Sequence, residues 1–234
     1  MVLAGLVVAF GALVQGTAGF GLALVAAPLL AILDPTLVPV PLILVSSLHA
    51  VLALAREYRD TDWAGVGWAL LGRLPGIALG ALAVAVLPQR WFLILVAVIV
   101  LICVALSATR WRPRPTVPAL LAGGLVSGVG GTAASIGGPP VALLYQDRAG
   151  PTVRATMAAY FTGGSVLSLV ALTAVGRVDL PALGSTGLLL PFMAAGFLLS
   201  TPARRLLDRG WTRPAVLGMS AVAALVLLVT ALLA

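Results

Sequence analysis

Eight apolar runs separated by short polar gaps constrain this chain more than any other feature. They cover roughly 2–33, 36–55, 63–87, 91–109, 117–145, 155–176, 180–201 and 214–233. A helical crossing of the ~30 Å hydrocarbon core needs about 20 apolar residues, and lipid offers no partner to an open backbone. Runs of this length are therefore predicted to be membrane helices. Of 234 residues, 61% are hydrophobic and 9% charged, against about a quarter charged in a soluble domain. A soluble fold would have almost no surface to show water. The gaps leave little for a separate soluble domain, so the sequence reads as one all-α integral membrane domain.

The net charge of +7 comes from 14 arginines and no lysine. They sit in short gaps between apolar runs, where membrane topology and lipid headgroups account for them better than nucleic acid does. Cys103, the single cysteine, lies inside an apolar run. This excludes an intrachain disulfide and a multi-cysteine metal site. No metal and no cofactor is expected. The first run lacks a basic leader and is followed by many more spans, unlike a cleavable signal.

Runs one and five are long for single spans, and both are interrupted. The first contains Gln15-Gly16-Thr17-Ala18-Gly19-Phe20-Gly21. The fifth contains Ser127-Gly128-Val129-Gly130-Gly131-Thr132 and then Gly137-Gly138-Pro139-Pro140. Each glycine weakens a helix by about 1 kcal/mol relative to alanine. At an offset of 112, Gly11, Leu13, Val14, Gly16, Gly19 and Pro28 align with Gly123, Leu125, Val126, Gly128, Gly131 and Pro140. At an offset of 116, Pro75 and Gly80 align with Pro191 and Gly196. The order of landmarks predicts an internal duplication, with repeats at 1–112 and 113–234.

The arginines discriminate between two topologies. If every run crosses once, they divide almost evenly between the faces. If runs one and five are re-entrant hairpins, each repeat crosses three times. Arg56, Arg59, Arg110, Arg112, Arg114, Arg148, Arg154, Arg204, Arg205, Arg209 and Arg213 then share one face, and only Arg90 and Arg177 lie on the other. Such a bias is what the positive-inside rule predicts. It makes loops 56–62, 110–116, 146–154 and 201–213 cytoplasmic and turns both termini outward. Three crossings per repeat also make the repeats inverted, an arrangement that recurs in secondary transporters. The expected fold is two inverted repeats, each a glycine-broken re-entrant hairpin plus three transmembrane helices. The alternative is a kinked full span in each broken run.

Backbone groups freed inside a membrane are tolerated where they line a cavity or are covered by protein. The second half-helix of each hairpin is expected to start near Gly21-Leu22 and Ala133-Ala134. Helix N-termini there would present N–H groups and a positive dipole end to an anion. Candidate substrate-binding residues in the two motifs are Gln15, Gly16, Thr17, Gly19, Phe20, Gly21, Ser127, Gly130, Gly131, Thr132 and Ser135. Gly16 and Gly128 would equally serve close helix packing. Arg73, mid-run in Leu71-Gly72-Arg73-Leu74-Pro75-Gly76, is a further candidate. An arginine at that depth costs about 2.5 kcal/mol or more and marks function by default; otherwise it snorkels or bonds carbonyls freed at Pro75. Tyr160 and Thr162 are candidate cavity-lining residues, with helix packing as the alternative. His49, the only histidine, is a candidate for a coupled proton or a satisfied hydrogen-bond partner.

All seven acids fall in or beside loops, so no carboxylate remains in the apolar runs to bind a cation. HExxH, GxSxG and P-loop patterns are absent, which argues against an intramembrane protease or nucleotide-driven pump. One arginine, helix N-termini and hydroxyls favour an anion by elimination.

Gly11-Ala12-Leu13-Val14-Gln15-Gly16-Thr17-Ala18-Gly19-Phe20-Gly21, continuing to Ala27-Pro28-Leu29-Leu30, resembles the first signature of the TauE/SafE sulfite exporter family. Gly128-Val129-Gly130-Gly131-Thr132 followed by Gly137-Gly138-Pro139-Pro140-Val141 resembles its second. Asp62-Trp63 after run two is also similar. The resemblance covers nearly the whole chain. It implies a permease for sulfur-containing or organic anions, such as sulfite, sulfonates or thiosulfate, in the bacterial inner membrane. Many members carry an Asn-Lys pair early in run two, where this chain reads Val38-Pro39-Val40-Pro41-Leu42. That departure implies a different anion or a different way of binding it. The expected partners are a small anion and the lipid bilayer. A coupling ion (proton or sodium) and a homo-oligomer remain open. The alternative function is a non-transporting membrane subunit whose glycines only pack helices.

Overall fold

The computed structural model describes residues 1–108, 112–207 and 212–233, with side chains outside 204–216. Arg110, Arg204, Arg205, Asp208, Arg209, Trp211 and Arg213, which the sequence places in loops or at helix ends, have side chains outside the described residues. All regular elements among the described residues are helical: α1 (Val2–Ala18), α2 (Leu22–Leu33), α3 (Val40–Glu57), α4 (Trp63–Val86), α5 (Gln89–Ala108), α6 (Val117–Ala133), α7 (Gly138–Tyr145), α8 (Gly150–Ala174), α9 (Leu180–Leu207) and α10 (Thr212–Leu233), with single 3-10 turns at Pro35–Leu37 and Tyr58–Asp60. Among the described residues, five stretches are long and apolar enough to cross a membrane: Val40–Asp60, Trp63–Val86, Gln89–Ala108, Gly150–Ala174 and Leu180–Ala203. Shorter apolar helices occupy α1, α2, α6 and Leu217–Leu233. This is the all-α membrane fold that the apolar runs demand. Two expected loops are partly helical. α8 starts at Gly150, with Pro151 in its first turn where a missing N–H costs nothing, and α9 runs on to Leu207.

The two long interrupted runs are broken, but not at equivalent glycines. In the first, Gly19 closes α1 in the left-handed region (φ 88°) and Gly21 opens α2 at φ 125°, conformations that a Cβ would strain. In the second, the dense glycines from Gly128 to Gly131 stay helical, and the break lies between Ala133 and Gly138. The expected start of a half-helix at Ala133-Ala134 is thus moved to Gly138. Proline supplies the reason: Pro139 and Pro140 disfavour a helix running through from their N-terminal side and fit the first turn of a new one.

Close backbone packing keeps those glycines helical. A Cβ on Gly72, Gly76, Gly124 or Gly128 would collide with backbone across the α4–α6 contact. α4 and α6 run in the same direction, Gly72 lying on Leu121 and Gly80 on Val129 and Thr132. α1 and α9 are likewise parallel: Gly5 faces Phe192, Gly196 faces Ala9 and Ala12, and Gly16 faces Ser200. Small residues permit this approach, which supplies the dispersion attraction that lipid does not oppose. Helix pairings come in matched sets: α4 with α6 and α1 with α9, α4 with α8 and α3 with α9, α5 with α7 and α2 with α10.

Polar pairs mark the two ends of the bundle. At one end Arg112 pairs with Asp147, Arg154 with Glu57 and Arg56 with Thr201. The Tyr145 hydroxyl donates to Asp62 there, at 2.8 Å. The Arg112–Asp147 pair joins the chain just before α6 to the chain just after α7, so this hairpin leaves from the end at which it entered. At the opposite end Arg177 donates to the Ala85 carbonyl and Arg90 to the Leu232 carbonyl, both at 2.9 Å. α1 starts from that opposite end, because it runs parallel to α9.

Candidate functional site

The two breaks meet inside the bundle, Phe20 of the first lying against Gly138 of the second. Gly19, at the first tip, packs 3.1 Å from the Arg154 Cα as judged from its Cβ position. Ser135, at the second tip, donates from its hydroxyl to the Pro39 carbonyl (3.0 Å) at the start of α3. Between them lies a cavity of about 40 Å³, room for little more than a few waters. Gln15, Gly21, Ala23 and Leu24 line it from the first hairpin. Gly131, Ser135, Ile136 and Gly137 line it from the second. Ile43, Ser46 and Ser47 on α3, Arg73 on α4, and Phe161 and Ser165 on α8 close it.

Arg73 dominates this space. It is 3% exposed. Nη2 donates to the Ser168 hydroxyl at 3.3 Å, and the guanidinium carbon stands 5.1 Å from the centre of the Tyr160 ring. Nε and Nη1 have no hydrogen-bond partner, and no carboxylate among the described residues forms an ion pair with it. It neither snorkels nor caps a carbonyl freed at Pro75. Glycines shape its berth: a Cβ on Gly131 or Gly164 would overlap the guanidinium, and one on Gly137 would come within 3.2 Å of Nη1. A buried, unpaired cation with unused donors costs several kcal/mol unless something anionic completes it.

In each hairpin one buried polar side chain ties the first half-helix to the start of the second. Gln15 Oε1 accepts from the Leu22 N–H at 3.2 Å, and Gln15 Nε2 contacts His49 Nδ1 at 3.1 Å. His49 Nε2 meets the Ala12 carbonyl at 3.0 Å. The chain of bonds sets the histidine tautomer: the carbonyl can only accept, so Nε2 carries the proton and Nδ1 accepts from the amide. Ser127, 112 residues after Gln15, does the same work in the second hairpin. Its hydroxyl donates to the Gly137 carbonyl at 2.5 Å and accepts from the Tyr160 hydroxyl at 2.6 Å. His49 and Tyr160 thus brace the two hairpins from α3 and α8.

Of the residues singled out from sequence, Gln15, Gly21, Arg73, Gly131 and Ser135 line the cavity. Ser127, Tyr160 and His49 stand behind it as braces. Thr132 is bonded to Ser168 at 2.8 Å, so it supports the partner of Arg73. Gly16 packs on Ser200, Gly19 on Arg154, Gly130 on Ile136 and Phe20 on Gly138. Thr17 and Thr162 turn their hydroxyls onto their own helices, to the Val14 and Ala158 carbonyls. Ser46, Ser47 and Ser165 also line the cavity and lie outside the motifs that mark the other candidates. The adjacent serines inside an apolar run were the available signal. The two half-helix ends also differ: Pro139 and Pro140 remove two N–H groups from α7, whereas Ala23 and Leu24 keep theirs on α2.

No curated protein and no solved structure matches the chain. A family model described as Sulfite exporter TauE/SafE matches residues 3–227. The two glycine signatures fall inside that match, and they build the two hairpins that enclose the Arg73 cavity. This multi-pass helical chain belongs to the TauE/SafE sulfite exporter family, whose members are membrane transporters rather than enzymes.

Proposed function

We propose that the protein is a secondary transporter for a small, sulfur-containing anion such as sulfite or an organosulfonate, acting across the bacterial inner membrane. The observation that carries this reading is Arg73: a buried guanidinium with two unpartnered donor atoms, facing a cavity without a carboxylate. Such a group is tolerated where an anion completes it. The α2 N-terminus adds a partial positive charge on the same side. A helix-packing subunit would need the glycines but gains nothing from the arginine.

The matched helix pairings support two repeats, 1–112 and 113–234, in inverted orientation. In that reading both hairpins are re-entrant, and the end carrying Arg56, Arg112 and Arg154 is cytoplasmic, with loops 56–62, 110–116, 146–154 and 201–213. Alternating access then comes from rocking one repeat or hairpin group against the other around the cavity. If the coupling ion is a proton, His49 is its candidate carrier. Protonation at Nδ1 would turn an acceptor into a donor, expel the Gln15 amide and loosen the start of α2.

The test is flux in proteoliposomes against sulfite, sulfonates, sulfate and carboxylates. Uptake of a sulfur oxyanion that Arg73→Ala abolishes is the expected result. No anion flux, or flux indifferent to Arg73→Ala, rejects the reading.

A further inference from the structure

Arg73 brings one positive charge to the cavity, and none of the other lining residues is ionisable. The hydroxyl groups there are unequal. Ser47 donates to the Ile43 carbonyl at 2.6 Å, Ser135 to the Pro39 carbonyl at 3.0 Å and Ser165 to the Thr162 carbonyl at 3.1 Å. A carbonyl cannot donate, so these three protons are spent and the hydroxyls keep only acceptor capacity. The Ser46 hydroxyl is buried without a partner, as are Nε and Nη1 of Arg73. Among the lining side chains, the donor atoms with no partner at all are therefore Ser46 Oγ and Arg73 Nε and Nη1.

We propose that this cavity selects a monoanion over a dianion of the same shape, with Arg73 neutralising the charge and Ser46 acting as a specificity-determining donor. This rests on the transport reading above. A monoanion against Arg73 makes a neutral pair. A dianion leaves a net negative charge in a water-poor interior, which is strongly disfavoured. The α2 N-terminus offsets about half a charge at most. The spent hydroxyls add to the discrimination. Their lone pairs repel a fully ionised oxyanion but accept a hydrogen bond from a protonated one, as in hydrogensulfite.

On the helices packed against α4, α6 carries no titratable side chain, and α8 carries Tyr160 and, at its far end, Arg154 paired with Glu57. His49 on α3 stands behind Gln15. A change of sulfite flux near neutrality therefore reports the ligand or His49, and a permanent monoanion separates the two.

The experiment measures proteoliposome flux of sulfite, methanesulfonate and sulfate on either side of neutral pH. Methanesulfonate is expected to be carried equally across that range, sulfate at least about tenfold more slowly, and sulfite in proportion to its hydrogensulfite fraction. Ser46→Ala should raise the sulfite KM about tenfold with little change in kcat, and Ser46→Thr should restore it. Sulfate carried as fast as methanesulfonate overturns the inference while transport stands. So does sulfite flux that rises with the dianion fraction, or a methanesulfonate profile that copies the sulfite profile. An unchanged KM in Ser46→Ala removes Ser46 from the site. No flux of any of the three anions overturns the transport reading itself.

Discussion

Gly164→Ala separates the placement of Arg73 from the integrity of the fold. An added Cβ at position 164 would stand 2.5 Å from Arg73 Nη1, 2.6 Å from Cζ and 2.8 Å from Nε. Real Cβ atoms keep at least 3.0 Å, so the guanidinium must retreat by at least about 0.5 Å, the difference of those two distances. It is the far end of a flexible side chain, and the three atoms nearest to that Cβ are all its own, none of them backbone. The strained rotamer costs about 0.5–1.5 kcal/mol. Alanine in a helix interior gains about 0.5–1 kcal/mol over glycine, so the two effects nearly cancel. The anion site does not share in that cancellation. A charged hydrogen bond is worth about 1.5–3 kcal/mol, and displacing its donor should raise the sulfite KM about tenfold to a hundredfold. The assay is a KM for flux in proteoliposomes beside a thermal unfolding scan of the purified protein. A variant with wild-type KM would refute the glycine-berth reasoning. So would a large fall in unfolding temperature, because the loss of flux would then report misfolding.

Gly76→Ala should behave in the opposite way, because its Cβ meets the Leu125 carbonyl and stands 3.0 Å from the Gly128 Cα; unyielding backbone predicts a loss of about 1–3 kcal/mol or more, read as lower unfolding temperature and yield. Arg73→Met should take flux to background while raising stability by about 2 kcal/mol, since it removes an unpaired buried charge; a destabilised variant would mean that the arginine holds the fold together. Gln15→Leu leaves His49 Nδ1 and the Leu22 N–H unpaired and should cost about 1–3 kcal/mol in the same unfolding measurement. In a Cys103→Ser background, cysteines at Arg59 and Arg148 should label from the same face of the membrane; labelling from opposite faces would reject the re-entrant second hairpin.

Much of the fold was legible because lipid admits few solutions. Apolar runs of spanning length must be helices, and the arginine distribution by itself favours hairpins. In the structure the Arg112–Asp147 pair joins the two ends of the second broken segment. The site was less legible. Arg73 stood out because an arginine mid-run is costly. Serines such as Ser46 and Ser165 did not, because a hydroxyl in an apolar run usually bonds its own helix, as Thr17 and Thr162 do here. Which hydroxyl has spent its proton is a matter of neighbours, and sequence does not record neighbours.

The glycine motifs divide the same way. Sequence alone determined that two broken segments exist, one in each half, because glycine and proline act locally on the backbone. It also determined that the interior holds a lone arginine and no acid. Only the tertiary structure decided where the second break falls, since packing against α4 keeps Gly128 to Gly131 helical against their own propensity. Only the tertiary structure decided which glycines serve helix contact and which make space for a charge. Gly128 lies against the backbone of α4, whereas Gly131 and Gly164, 33 residues apart in the chain, lie against one guanidinium. Contacts between distant segments set that difference, and local propensity carries no information about them.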